Sequence, residues 1–213
     1  MKSLKRIEKQ ISTFSVIAII GFTVFLSLTF ILHFIQPGYN PSEKYVSEFI
    51  LGEYGWLLNI AITGNLIGCA ALTIVFYYFY KFHKSYKSLI CLVCLCIATL
   101  SVITNYFPTD VHGRAVTISG YIHNTGAFIG TLAIFPVMII FPFQLKKIGM
   151  LNGIYNLLVL LGLFAPVSFI LLLIIVNSAP DFAGISQRIY ALIIMLWLIM
   201  AAFGVQTGEF IYK

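Results

Sequence analysis

Six long apolar runs alternate with short polar stretches along the 213-residue chain, at about 11–35, 55–80, 88–107, 117–143, 150–177 and 189–209. Each is near or above the ~20 residues that a helix needs to cross the hydrocarbon core of a bilayer. The runs are apolar all round and lack the alternation of a membrane β-barrel strand. Backbone polar groups inside hydrocarbon must be satisfied within the segment, so the runs predict helices. The connections are too short to hold a soluble domain. The pattern therefore predicts an all-α polytopic integral membrane protein: one domain, 1–213, folded as a six-transmembrane-helix bundle.

Composition sharpens this. Residues are 60% hydrophobic and only 9% charged, against about 25% charged in soluble domains. The net charge of +6 does not point to nucleic acid, because the basic residues fall in short segments between apolar runs and form no basic face. The first run follows Lys2, Lys5, Arg6 and Lys9 and ends in Leu32-His33-Phe34-Ile35-Gln36-Pro37. It is longer than the ~7–15-residue core of a signal peptide and lacks a small-residue cleavage site. It reads as a transmembrane helix that stays attached.

Orientation follows from the cations. With the N-terminus in the cytosol, Lys2, Lys5, Arg6, Lys9, Lys81, Lys84, Lys87, Lys146, Lys147 and Lys213 lie inside, and only Lys44, Arg114 and Arg188 lie outside. Both termini are thus expected in the cytoplasm of a cell-membrane protein. The acids run the other way, with Glu43, Glu48, Glu53, Asp110 and Asp181 outside against Glu8 and Glu209 inside.

Gly64 with Gly68, and Gly126 with Gly130, are GxxxG pairs that allow close backbone approach, here read as packing within the bundle. Pro136, Pro142 and Pro166 fall inside apolar runs and predict kinks. Cys91 and Cys94 form a CxxC, but all four cysteines sit in apolar segments with no His or carboxylate nearby. They read as helix cysteines that act as small hydrophobes.

The polar interest lies in 105–124, where Asp110, His112, Arg114 and His123 stand between two bilayer-length runs. Ionisable groups at such depth are costly unless wet, paired or functional. His33, Asn59, Glu48 and Arg188 are expected at the same end of the bundle. For His123, one reading is a simple hydrogen bond to a neighbouring helix.

Three chemistries use the set. A metal site would draw on His33, His112, His123 and Asp110 or Glu48, although no HxxxH or HExxH pair exists. An acid/base pair would join His123 to Asp110 or Glu48, with Ser47 and Ser119 as available hydroxyls. Arg114 and Arg188 suit anion or headgroup binding, or else an interfacial anchor or a salt bridge. Asp110 and His123 are expected to meet or to share a partner.

Three blocks resemble domain-of-unknown-function family 998, six-helix membrane proteins of bacteria and archaea. They are Tyr45-Val46-Ser47-Glu48-Phe49 through Tyr54-Gly55-Trp56-Leu57-Leu58-Asn59; Phe107-Pro108-Thr109-Asp110 with Ser119-Gly120-Tyr121-Ile122-His123; and Gly184-Ile185-Ser186-Gln187-Arg188 leading to Leu196-Trp197-Leu198. The resemblance implies fold and topology, since the family has no settled activity. The usual first block runs more directly into its glycine; here Phe49-Ile50-Leu51 intervenes before Gly52. Ser47-Glu48 and His123-Asn124-Thr125-Gly126-Ala127 are also similar to the Frag/DRAM/Sfk membrane proteins, some of them linked to lipid remodelling or trafficking.

The expectation is a polar outer-leaflet pocket built from Glu48, Asn59, Asp110, His123 and Arg188, with Arg114 beside it. It would bind or handle a lipid headgroup or small polar ligand. The alternatives are an intramembrane metal-dependent or acid/base lipid hydrolase and a small-solute transporter, so enzymatic activity stays open. Membrane lipid is the expected partner, no resident metal or cofactor is expected, and the pattern sets no oligomeric state.

Overall fold

A computed structural model describes residues 2–81, 87–111, 114–147 and 154–207. All regular structure among them is helical, with no strand. The long helices are α1 (Lys2–Ile35), α2 (Gly55–Lys81), α3 (Lys87–Ile97), α4 (Ile118–Lys147), α5 (Tyr155–Ser178) and α6 (Ala183–Thr207). From α3 the chain continues through a π-helical stretch, Ala98–Ile103, into a last turn, Thr104–Tyr106. Short 3-10 turns occupy Val46–Leu51 and Pro180–Phe182.

Five segments are long and apolar enough to cross a membrane: Arg6–Ile35, Gly55–Tyr78, Ile118–Gln144, Tyr155–Ser178 and Pro180–Gln206. A sixth, Leu92–Tyr106, is apolar but shorter.

Two helix starts differ from the hydropathy reading. The first helix begins at Lys2 rather than near Ile11. Lys, Arg, Glu and Gln are good helix formers, so the charged turns continue a helix whose apolar part alone registers as a span. The last begins at Ala183 rather than near 189. Gln187 and Arg188 lowered the apolar signal there, yet both sit in helix because the preceding loops supply partners for them. The fifth run was expected from about 150, and its helix is described from Tyr155; 148–153 lie outside the described residues.

Each helix packs on the next in sequence, and α6 returns to α1, closing a ring. Close approach between α1 and α2 rests on Gly21, Gly64 and Gly68. A Cβ added to Gly21 would lie 2.4 Å from the Gly64 carbonyl oxygen, and one on Gly68 would lie 2.8 Å from the Phe22 ring. Gly126 and Gly130 receive Ile103 and Leu100 from the π-helical stretch that follows α3. Both GxxxG pairs thus serve packing inside the bundle. In lipid such close contact, rather than exclusion of water, supplies helix association.

The ring is filled by Phe22, Phe76, Phe141, Trp197 and Met138, all fully buried. Trp197 also donates its indole N–H to the Leu158 carbonyl (3.1 Å), and Thr131 and Tyr190 share a 2.7 Å bond between α4 and α6. Cys69, Cys94 and Cys96 are free thiols.

Candidate functional site

The loops 36–54 and 179–182 and the described parts of 107–117 (107–111 and 114–117) lie at the end of the bundle opposite the start of α1, here called the distal end. The first is tied down mainly by one residue of α6. Arg188 donates from Nε to His33 Nε2 (2.6 Å), from Nη1 to the carbonyls of Lys44 (2.8 Å) and Gly184 (2.7 Å), and from Nη2 to the Tyr39 hydroxyl (2.5 Å). Tyr39 in turn donates its hydroxyl hydrogen bond to the Tyr45 carbonyl at 2.6 Å. Its ring stacks on buried Phe49 with centroids 3.9 Å apart, and His33 meets Phe49 edge-on at 5.0 Å.

Burial pushes the Tyr39 phenol up to about 12, against the opposing pull of the nearby Arg188 charge. Tyr45 is raised as well, by burial and then by the Glu48 carboxylate.

Two neighbours of Arg188 complete the tie. Gln187 accepts the Val46 amide proton (2.7 Å), and Gly184 donates its amide to the Ser42 carbonyl (2.8 Å). Gly184 has to be glycine, because a Cβ there would come within 2.5–2.7 Å of the Lys44, Pro41 and Ser42 carbonyl oxygens. Glu48, only 6% exposed, closes the start of the 3-10 turn by accepting the Tyr45 amide proton at 2.8 Å.

The second tie fastens the 107–117 loop to the start of α4. Thr117 is the N-cap: its hydroxyl accepts the Gly120 amide proton at 3.1 Å, filling one of the donors left open at a helix start. In a capping box, Glu or Gln at the third helical position returns a bond to the N-cap amide. That position is Gly120 here, and Asp110 makes the bond from the loop. Its carboxylate takes both the amide and the hydroxyl of Thr117, each at 2.8 Å. A Cβ on Gly120 would fall 1.8 Å from Asp110 Oδ2, so the glycine makes room for the acid.

One turn further along, His123 is 5% exposed and holds the Phe107 carbonyl through Nδ1 at 2.9 Å. A carbonyl only accepts, so Nδ1 carries the proton and Nε2 presents a lone pair. No donor to Nε2 exists among the described residues. The Asp110 carboxylate is within electrostatic reach of the ring.

The predicted residues thus divide. Glu48 and Arg188 lie in one cluster with His33 and Tyr39. Asp110 and His123 share the 107–117 segment, Asp110 through Thr117 and His123 through Phe107, without a direct bond between them. Arg114 is exposed on that loop, and Asn59 is exposed on α2, where its carbonyl takes the Thr63 hydroxyl. His112 lies outside the described residues. Tyr39 has no part in the sequence reading, and Gly120 and Gly184 enter it only within the family blocks, without a role of their own. Tyr39 sits in a Pro-Gly-Tyr-Asn turn, and nothing in that turn signals an arginine partner from the far end of the chain.

His33 is also unsuited to metal. Its Nδ1 bonds the Thr29 carbonyl (2.7 Å) while Nε2 faces Arg188. No group of three metal-binding side chains clusters among the described residues.

An all-helical chain with five membrane-length segments and polar ties at one end of the bundle defines a polytopic membrane protein. Within that class it belongs to the family described as protein of unknown function DUF998, whose profile matches residues 19–204. No curated protein and no solved structure matches the chain. The three blocks that carry the family resemblance make the two ties, since the first and third meet through Gly184, Gln187 and Arg188 while the second closes on itself.

Proposed function

We propose that the protein is a six-span cell-membrane protein with cytoplasmic termini and an outward-facing distal end. There it binds a lipid headgroup or small polar ligand, centred on His123. One observation carries this reading: a buried imidazole whose Nδ1 proton is committed to Phe107 and whose Nε2 lone pair has no donor among the described residues. An acceptor in that position suits a ligand that offers a hydroxyl or an ammonium N–H. Asp110 adds negative charge nearby, and exposed Arg114 on the same loop suits a phosphate of the same headgroup.

The depth also fits. Exposed Trp56 and Tyr121 stand at the distal ends of α2 and α4 and exposed Tyr106 in the last turn after α3, and aromatic rings of this kind settle at the headgroup level. Glu48 and Arg188 then act as scaffolding that holds the neighbouring loop.

Purification in mild detergent followed by native mass spectrometry tests the proposal. A defined lipid or small polar molecule should stay with the native protein and be lost from His123→Phe. Equal retention by both, with the fold intact, would remove His123 from the site.

A further inference from the structure

The Arg188 cluster has a feature independent of ligand binding at His123. His33 can hold Arg188 only as a neutral imidazole. Its Nδ1–H is directed to the Thr29 carbonyl at 2.7 Å, so Nε2 must supply the lone pair that receives the Arg188 Nε–H at 2.6 Å. Adding a proton to Nε2 would set N–H against N–H and one cation against another. The same guanidinium fastens Tyr39 and Lys44, so a displaced Arg188 frees the 36–54 loop at both points.

We propose that the His33–Arg188 pair is an acid-sensitive latch, closed while His33 is neutral and released when it is protonated. The segment it controls covers the distal ends of α1 and α6.

The surroundings set the sign. From α6 the facing charge is Arg188 itself, which opposes a second cation. From the loop come Tyr39 and Tyr45, both held as phenols, and Lys44, whose ammonium bonds the Gly38 carbonyl and lies 5.9 Å from the Tyr39 ring centre. The 3-10 turn contributes the buried acid Glu48, whose carboxylate accepts the Tyr45 amide proton. The spanning part of α2, 55–80, has no charged side chain to add. Closure is therefore favoured where the imidazole is neutral and is lost once acid protonates it.

Paired spin labels on Glu43→Cys and Asn177→Cys, in a chain with the four native cysteines replaced, test this in lipid nanodiscs. The native pair should give one narrow distance at about pH 7.5 and a second, reversible, shifted population at about pH 5. His33→Gln keeps an acceptor for Arg188 but cannot titrate, so it should keep the narrow distance at both values. An unchanged native distribution at low pH would overturn the proposal. So would an acid shift that persists in His33→Gln.

Discussion

Arg188 donates its Nε–H to Nε2 of His33 across 2.6 Å, joining residues 155 positions apart. The bond ties the end of the first helix to the start of the last, where the ring of helices closes. Because the guanidinium reaches four acceptors in different directions, its planar fork matters as much as its charge. Arg188→Ala should lower stability by about 2–4 kcal/mol, as charge-assisted bonds are lost and carbonyls are left without donors. Arg188→Lys should recover less than half of that loss, since one ammonium cannot span the set. Thermal unfolding in detergent measures both, and full recovery by Lys would reduce the cluster to a simple charge effect.

Gly184 gives a sharper probe of the same contact. Gly184→Ala leaves every titratable group in place but pushes a methyl into three backbone carbonyls. Backbone cannot swing aside as a side-chain tip does, so the 41–44 segment must move. The expected result is faster proteolysis within 36–54 at unchanged helix content. A variant cut no faster than the native chain would show that the loop yields freely.

At the second tie, Gly120→Ala should destabilise the protein through its clash with Asp110. Removing the acid also removes its bonds to the N-cap residue Thr117, a loss on the order of 1 kcal/mol. In Gly120→Ala the acid has already been forced out, so adding Asp110→Ala should cost little more. The double variant should therefore be clearly less damaged than the two single losses summed. Additivity would mean that the carboxylate and the glycine are not in contact.

The helices were legible from sequence because hydropathy reads what lipid demands, and the distal polar end was legible because polar groups so deep stand out. Arg188 and Glu48 were visible as unusual residues for the same reason. Their use was not. The sequence offers Arg188 as an anion binder, an interfacial anchor or a salt-bridge partner, whereas its fork is filled by His33, Tyr39 and two backbone carbonyls. Asp110 was weighed as an acid or a metal ligand, whereas it caps α4 in place of an absent glutamate. Backbone carbonyls and amides carry no sequence signal, so a side chain whose partners are backbone looks unpaired in the sequence. The glycines hid for a related reason: Gly120 and Gly184 matter through what stands opposite them.

The proposed orientation puts the distal loops outside. A single cysteine at Glu43 should react with a membrane-impermeant maleimide in intact cells. One at Lys146, at the other end of the bundle, should react only after permeabilisation. The reverse pattern would place His123 and the Arg188 cluster on the cytoplasmic side.

Tyr39 gives a prediction at alkaline pH. Burial raises its phenol to about 12 in the folded protein, against about 10 in an unfolded chain. A group whose folded value is raised contributes its full stability below the unfolded value and loses it as pH climbs through the folded one. Unfolding should therefore become easier between about pH 10 and pH 12, because the phenolate forms readily only once the loop has opened. Arg188 would partner a phenolate, yet burial outweighs it, and the Tyr45 carbonyl needs the proton that Tyr39 donates. Tyr39→Phe should start from lower stability, having lost the bonds to Arg188 and Tyr45, but should decline less steeply over that interval. Tyr45, also raised by burial, leaves a residual slope in that variant, so the difference between the two slopes belongs to Tyr39. Denaturation midpoints across the interval measure it, and identical slopes would mean that the Tyr39 hydroxyl is open to water.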